Sequence, residues 1–92
     1  MTEKQILELG FQINYDDGGG DWDKYHYYTL EIVNGLELIS NASDEPRKDD
    51  EWYVEFFDTY DKLRIYDYKD LKQLIEILEK AKRKTAEYVK IK

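Results

Sequence analysis

The sequence predicts an α+β domain of two layers, in which an antiparallel four- to five-stranded meander packs on a long C-terminal helix, with a short N-terminal helix. Three observations point there. Residues 11–66 alternate apolar and polar side chains in short runs separated by turn-forming clusters. Asn34–Gly35 falls between two such runs at the two-residue spacing of a hairpin. Leu71, Leu74, Ile75, Leu78 and Ala81 recur at i, i+3, i+4, i+7 and i+10, the stripe of an amphipathic helix. A sheet with one apolar face and a helix with one apolar stripe bury each other in two layers. The expected division of residues 1–92, one domain, is a short helix over 1–10, a sheet over 11–66, and a helix with a basic tail over 67–88.

In chain order, Thr2 and Gln5 have the spacing of a capping box, in which hydroxyl and amide satisfy each other's backbone N–H. Ile6, Leu7 and Leu9 give this helix an apolar stripe, and Gly10 stands where a left-handed residue ends it. Phe11, Ile13 and Tyr15 then alternate as a strand. Tyr25–Val33 reads as a longer one, with Tyr28, Leu30 and Ile32 on one face and Tyr27, Thr29, Glu31 and Val33 on the other. Asn34–Gly35 suits a type I′ turn, which needs positive φ at both centres. Leu36–Ser40 returns antiparallel. Residues 41–50 hold the only proline among dense charge and read as a loop. In residues 51–58, Trp52, Val54 and Phe56 face inward, while Tyr53, Glu55 and Phe57 face outward. Thr59–Lys62 turns into a short last strand, Leu63–Tyr66. Asp67 can cap the closing helix, with Asp70 three residues on; Ile77 lies off its stripe.

The net charge of −7 conceals an asymmetry. Residues 80–92 carry six Lys or Arg and one acid, +5, whereas residues 1–79 carry 8 bases and 20 acids, −12. So negative a body repels phosphate backbones and attracts basic surfaces, so direct nucleic-acid binding is not expected. The basic tail has a local explanation in the negative end of the helix dipole. With no cysteine there is no disulfide or thiolate chemistry. The first ten residues lack a signal peptide's basic flank and apolar run, and no stretch has the roughly 20 apolar residues of a membrane span. A soluble, cytoplasmic chain is expected.

The stretch NYDDGGGDWDKYHYY, residues 14–28, looks most like a site. Neither frame through its aspartates meets the EF-hand pattern, because Gly18 and Tyr25, or Tyr25 and His26, occupy ligand or glycine positions. A dinucleotide-type glycine loop fails at Asp23. The stretch reads as a connection between strands, with weak calcium binding by Asp16, Asp17, Asp21 and Asp23 as the alternative. His26 is the only histidine, so a tetrahedral nitrogen–sulfur zinc site is excluded for one copy of the chain. A Ser-His-Asp arrangement would need Ser40 or Ser43 at His26 and an oxyanion hole, which no spacing suggests. Asn41-Ala42-Ser43 matches a glycosylation sequon, meaningful only on secretion. The expectation is of no catalytic residue, no metal and no cofactor.

What is left is surface. Tyr25, Tyr27, Tyr53 and Phe57, with Glu31 and Glu55, share the face away from the helices if the strands align as read. Rings rimmed by carboxylates suit a basic protein partner, area coming from the rings and steering from the charges. Asp44, Glu45, Asp49, Asp50, Glu51, Asp58 and Asp61 flank one strand on both sides, a display that could stand where phosphates would. The expected partner-binding residues are Tyr25, Tyr27, Glu31, Asp49, Asp50, Glu51, Tyr53, Glu55 and Phe57. The competing expectation is a homo-oligomer sealed through residues 52–57.

The opening LxLGF at Leu7–Phe11, the tyrosine-rich middle and the closing DLKxLIxxL at Asp70–Leu78 resemble those of short accessory proteins of bacterial phages and prophages. The resemblance spans most of the chain, through motifs that are structural. It implies an accessory role for a mobile element, with anti-defence inhibition by nucleic-acid mimicry as one form of it, and it carries over no functional residue.

Overall fold

Thr2 opens helix α1 (Glu3–Glu8) with the predicted capping box: its hydroxyl accepts from the Gln5 N–H at 3.2 Å, and the Gln5 side-chain oxygen accepts from the Thr2 N–H at 2.9 Å. The computed structural model describes residues 1–16, 25–45 and 50–91, with side chains through residue 89. The helix ends at Gly10, whose φ of +96° is the left-handed conformation that glycine adopts without a steric penalty.

Five antiparallel strands follow: β1 (Gln12–Asp16), β2 (Tyr25–Val33), β3 (Leu36–Ser40), β4 (Val54–Phe56) and β5 (Arg64–Ile65). Their order across the sheet is their order in the chain, the predicted meander. The pairs Ile13↔Tyr28, Leu30↔Leu38, Leu38↔Phe56 and Val54↔Ile65 place apolar side chains on one face across all five strands. On that face sit both helices. Ile6 of α1, and Leu71 and Ile75 of α2 (Tyr68–Ile91), join Phe11, Tyr28, Leu38, Trp52 and Val54 in the core. Asp67 caps α2 as its position predicts, its carboxylate accepting from the Asp70 N–H at 3.2 Å.

Four features depart from the sequence reading. Asn34 does not take positive φ; Gly35 alone of the pair does, at +93°, and β2 shifts register between Glu31 and Val33. The turn is therefore not type I′, and the adjacent bulge supplies the twist that such a turn would have given. The strand expected over 51–58 is three residues long, bounded by left-handed Asp50 and Asp58, with φ of 54° and 61°. Trp52 lies before it yet is buried as predicted, at 5% exposure. The last strand shrinks to Arg64–Ile65. Finally, α2 runs on to Ile91, but its buried stripe stops short: Leu71 and Ile75 are buried, Leu74 and Leu78 half-buried, and Ala81 exposed.

β4 is an interior strand, paired to β3 on one side and β5 on the other. Its backbone edges are both used, so a contact through residues 52–57 has to be made by side chains on the face or at the β4–β5 turn.

Candidate protein-binding face

Because side chains alternate along a strand, the residues between the core positions form a second face, on which no helix of the described residues packs. The register fixes its rows. Gln12, Thr29, Ile39, Glu55 and Arg64 stand opposite one another across the five strands. Tyr27 lies one step along β2 from that row and opposite Asn14, with Tyr25 a further step away opposite Asp16. In the other direction Glu31 faces Glu37. Tyr53 and Phe57 flank Glu55 two residues to either side. The sheet thus brings Tyr25, Tyr27, Glu31, Tyr53, Glu55 and Phe57 to one surface. Asp50 and Glu51 are exposed but lie in the segment before β4, off the strand surface. Asp49 lies outside the described residues, as do Asp17, Asp21 and Asp23 of the proposed calcium loop.

Two groups occupy this face. In one, the Arg64 guanidinium sits 4.5 Å from the centre of the Tyr53 ring, and Tyr66 packs beside that ring at 5.5 Å. Glu55 Oε2, buried and without a hydrogen bond, faces Arg64 Nε at 3.7 Å, an electrostatic contact rather than a hydrogen bond. The Tyr53 hydroxyl donates to Glu45 Oε2 at 3.2 Å. Burial, then the neighbouring Glu45 carboxylate, pushes the Tyr53 pKa up, against the opposing pull of Arg64. In the other group, the Tyr25 and Tyr27 rings lie 6.3 Å apart, inclined by 32°. They wall a recess of about 240 Å³ completed by Ile39, Ser40, Ala42 and Glu45. A hydrogen bond to Asp16, followed by burial and the charges of Asp16 and Asp44, raises the Tyr25 pKa. Both phenols therefore stay neutral at physiological pH and act as donors and apolar plates.

The connection from β3 to β4 is held by a residue that the sequence marked only as the asparagine of a glycosylation sequon. Asn41 is 2% exposed. Its Oδ1 accepts from the Tyr53 N–H at 3.0 Å, its Nδ2 donates to the Glu51 carbonyl at 3.4 Å, and its own N–H donates to the Tyr53 carbonyl at 3.3 Å. A side-chain amide so extends the β3–β4 ladder past the last regular pair and fixes where Tyr53 projects. Buried in this way, Asn41 does not offer its amide for glycosylation in the folded chain.

On the helix side, Glu3 joins α1 to β2: its Oε1 lies 2.5 Å from His26 Nε2 and accepts from the Tyr28 hydroxyl at 2.8 Å. The His26 ring also stacks on Trp52 at 5.7 Å and meets the edge of Tyr28 at 5.8 Å. The two serines that a Ser-His-Asp arrangement would have needed at His26 serve the backbone. Ser43 Oγ accepts from the His26 N–H at 3.0 Å, and Ser40 Oγ accepts from the Tyr28 N–H at 2.9 Å while donating to the Asn41 carbonyl. Hydroxyls so engaged hold the chain; neither is hydrogen-bonded to the imidazole. Among the described residues no group of three or more His, Asp or Glu could hold a metal ion, and no helix is long and apolar enough to cross a membrane.

Sequence reasoning named neither Arg64, Tyr66 and Ile39 as members of the face nor Asn41 and Glu3 as the residues that hold it. Ile39 and Arg64 were in principle accessible through the alternation of strands; the Glu3–His26 contact spans 23 residues and leaves no local signal. Comparisons with protein-family models, with curated proteins and with solved structures find no match.

Proposed function

We propose that the chain is a non-enzymatic, acidic protein-binding module whose helix-free sheet face engages a basic partner. A single observation carries this reading: both helices pack on one side of the five-stranded sheet, while the other side presents Tyr25, Tyr27 and Tyr53 among Glu31, Glu37, Glu55 and Glu45. Tyrosines give a partner large, rigid contact area at low entropic cost, and carboxylates around them speed and orient its approach. The likeness to phage and prophage accessory proteins makes a host nucleic-acid-binding protein the natural target, with the exposed acids Asp44, Glu45, Asp50, Glu51, Asp58 and Asp61 standing where phosphates would.

Affinity capture from a bacterial lysate tests it when the wild type is run beside a face variant, Tyr25→Ser with Tyr27→Ser, and a helix-side control, Ile77→Ser. Basic proteins should be retained by the wild type and the control, lost by the face variant, and released as salt rises. Capture that survives the face substitutions, or that is indifferent to salt, refutes the reading.

A second reading, a homo-oligomer built through residues 52–57, draws on the exposed apolar side chains at and around the β4–β5 turn: Phe57 is 56% exposed, Tyr60 fully exposed, and Leu63 67% exposed. Light scattering over a dilution series separates the two, because a strict monomer at micromolar concentration removes it.

A further inference from the structure

We infer that the recess walled by Tyr25 and Tyr27 is a receptor for a cationic side chain, an arginine guanidinium presented by the partner polypeptide. This rests on the protein-binding reading above and names what that face takes hold of.

The open face carries the same assembly twice. Around Tyr53 the chain supplies every part itself: a ring, a second ring beside it, a carboxylate in Glu55, and the guanidinium of Arg64 at 4.5 Å over the ring. Around Tyr25 the rings and the carboxylate recur, with Tyr27 as the second ring and Glu45 on the rim. Here no Lys or Arg lines the recess among the described residues, Lys24, Arg47 and Lys48 lying outside them. Glu45 is held from the Arg64 side by the Tyr53 hydroxyl through Oε2. That bond leaves the carboxylate with acceptor capacity toward the recess.

The chemistry selects a cation, and among cations arginine. Tyrosine faces attract positive charge, and Asp44 and Asp16, close enough to act on the Tyr25 hydroxyl, add to the negative potential. A phosphate or carboxylate would meet three like charges. Ile39 and Ala42 give the recess an apolar floor, which suits the weakly hydrated, planar guanidinium and its methylene stem better than a strongly hydrated ammonium. A guanidinium stacked on a tyrosine can still turn its N–H edge to Glu45, as a point charge cannot.

The test uses the full chain and a defined probe. The backbone amide resonances are followed by NMR while N-acetyl-arginine N-methylamide is added, with the citrulline analogue as its neutral isostere. The arginine probe should shift Tyr25, Tyr27, Ile39, Ala42 and Glu45 selectively, and the citrulline probe should not. Glu45→Gln, an exposed substitution that leaves the fold intact, should weaken arginine binding about fivefold. Shifts spread over exposed acids such as Asp58 and Asp61, equal shifts from citrulline, or unchanged affinity in Glu45→Gln each overturn the inference. The capture experiment separates this failure from failure of the wider reading. If Glu45→Gln binds the arginine probe as tightly as the wild type does while Tyr25→Ser with Tyr27→Ser loses the captured proteins, the arginine site is wrong and the binding face stands. If the double serine variant also captures them, the face itself is wrong.

Discussion

Replacing Asn41 with alanine removes two side-chain hydrogen bonds from a site that is 2% exposed, one to the Tyr53 N–H and one to the Glu51 carbonyl. The methyl group that replaces the amide cannot satisfy either backbone group. Losing the partner of the Tyr53 N–H costs roughly 1–3 kcal/mol, and losing that of the Glu51 carbonyl costs about 0.5–1 kcal/mol, since Glu51 is exposed and its bond is long at 3.4 Å. Together these predict a loss of about 2–3 kcal/mol, a large share of the ~5–10 kcal/mol typical of a domain this small. Urea unfolding followed by tryptophan fluorescence reads it directly, since Trp52 is in the core. Hydrogen exchange should localise it, with the Tyr53 amide losing protection ahead of the β2–β3 ladder. Asn41→Asp refines the test. The carboxylate can accept from the Tyr53 N–H but has no proton for the Glu51 carbonyl, and its burial raises its pKa. The unfolded state then ionises more readily, so the variant is weakest above the usual carboxylate range and recovers as pH falls and its proton returns. A cost below about 0.5 kcal/mol for the alanine variant, the range of ordinary surface substitutions, would refute the assignment of Asn41 as the clamp of the β3–β4 connection.

Three further outcomes are expected. Burial, and then the hydrogen bond to Glu3, push the Tyr28 pKa up to about 12 from the ordinary value of 10. A raised folded-state pKa contributes stability that is whole below pH 10 and is lost as pH rises toward 12, here by at most about 2–3 kcal/mol, so urea midpoints of the wild type should fall toward those of Tyr28→Phe across that window. Leu71→Ala, at a position with no exposure, should cost about 2–5 kcal/mol, whereas Ile77→Ala on the same helix, 64% exposed, should change stability by less than about 0.5 kcal/mol. Gly35→Ala meets no atom within 4 Å of its new Cβ, yet its φ of +93° is strained for any L side chain, which predicts a purely conformational cost of about 1–2 kcal/mol in thermal unfolding and an unaltered fold by circular dichroism.

The elements that could be read from the sequence are those whose signal is local. The capping box of α1, the left-handed Gly10 and the Asp67 cap each lie within a few residues of chain, and each is present; the stripe of α2 is present in its first half, with Leu71 and Ile75 buried, and gives out before Ala81. Alternation in β2 likewise separated Tyr28 and Ile32 from Tyr27 and Glu31, and the register put the outward set where that separation requires. Reading failed where a distant partner decides. The ends of β4 depend on Asn41, ten or more residues upstream, and on left-handed Asp50 and Asp58, none of which strand propensity describes. The Asn34–Gly35 pair signals a turn correctly but not its type, because the bulge beside it absorbs the twist. Of the candidate face, the tyrosines and glutamates of the strands were legible. The Arg64 contact, the Glu45 anchor and the recess between Tyr25 and Tyr27 were not, since they arise from cross-strand neighbours rather than from spacing.

Adjacent tyrosines on β2 show why the display surface follows from the core. Tyr28 is 3% exposed, pinned by Glu3 and packed on Trp52, so its side of the strand cannot turn outward without breaking the hydrogen bond to Glu3 and leaving a core ring's place unfilled. A slip of one residue would exchange Tyr27 for Tyr28 and bury Glu31 where Ile32 now lies, at a cost far above what any surface contact returns. Tyr25 and Tyr27 are therefore held on the open side by the same interactions that hold the helices on the other. Their presentation needs no partner to fix it. Rings set in this way are ordered by the fold itself, so a contact made on this side of the sheet would spend little of the chain's own freedom.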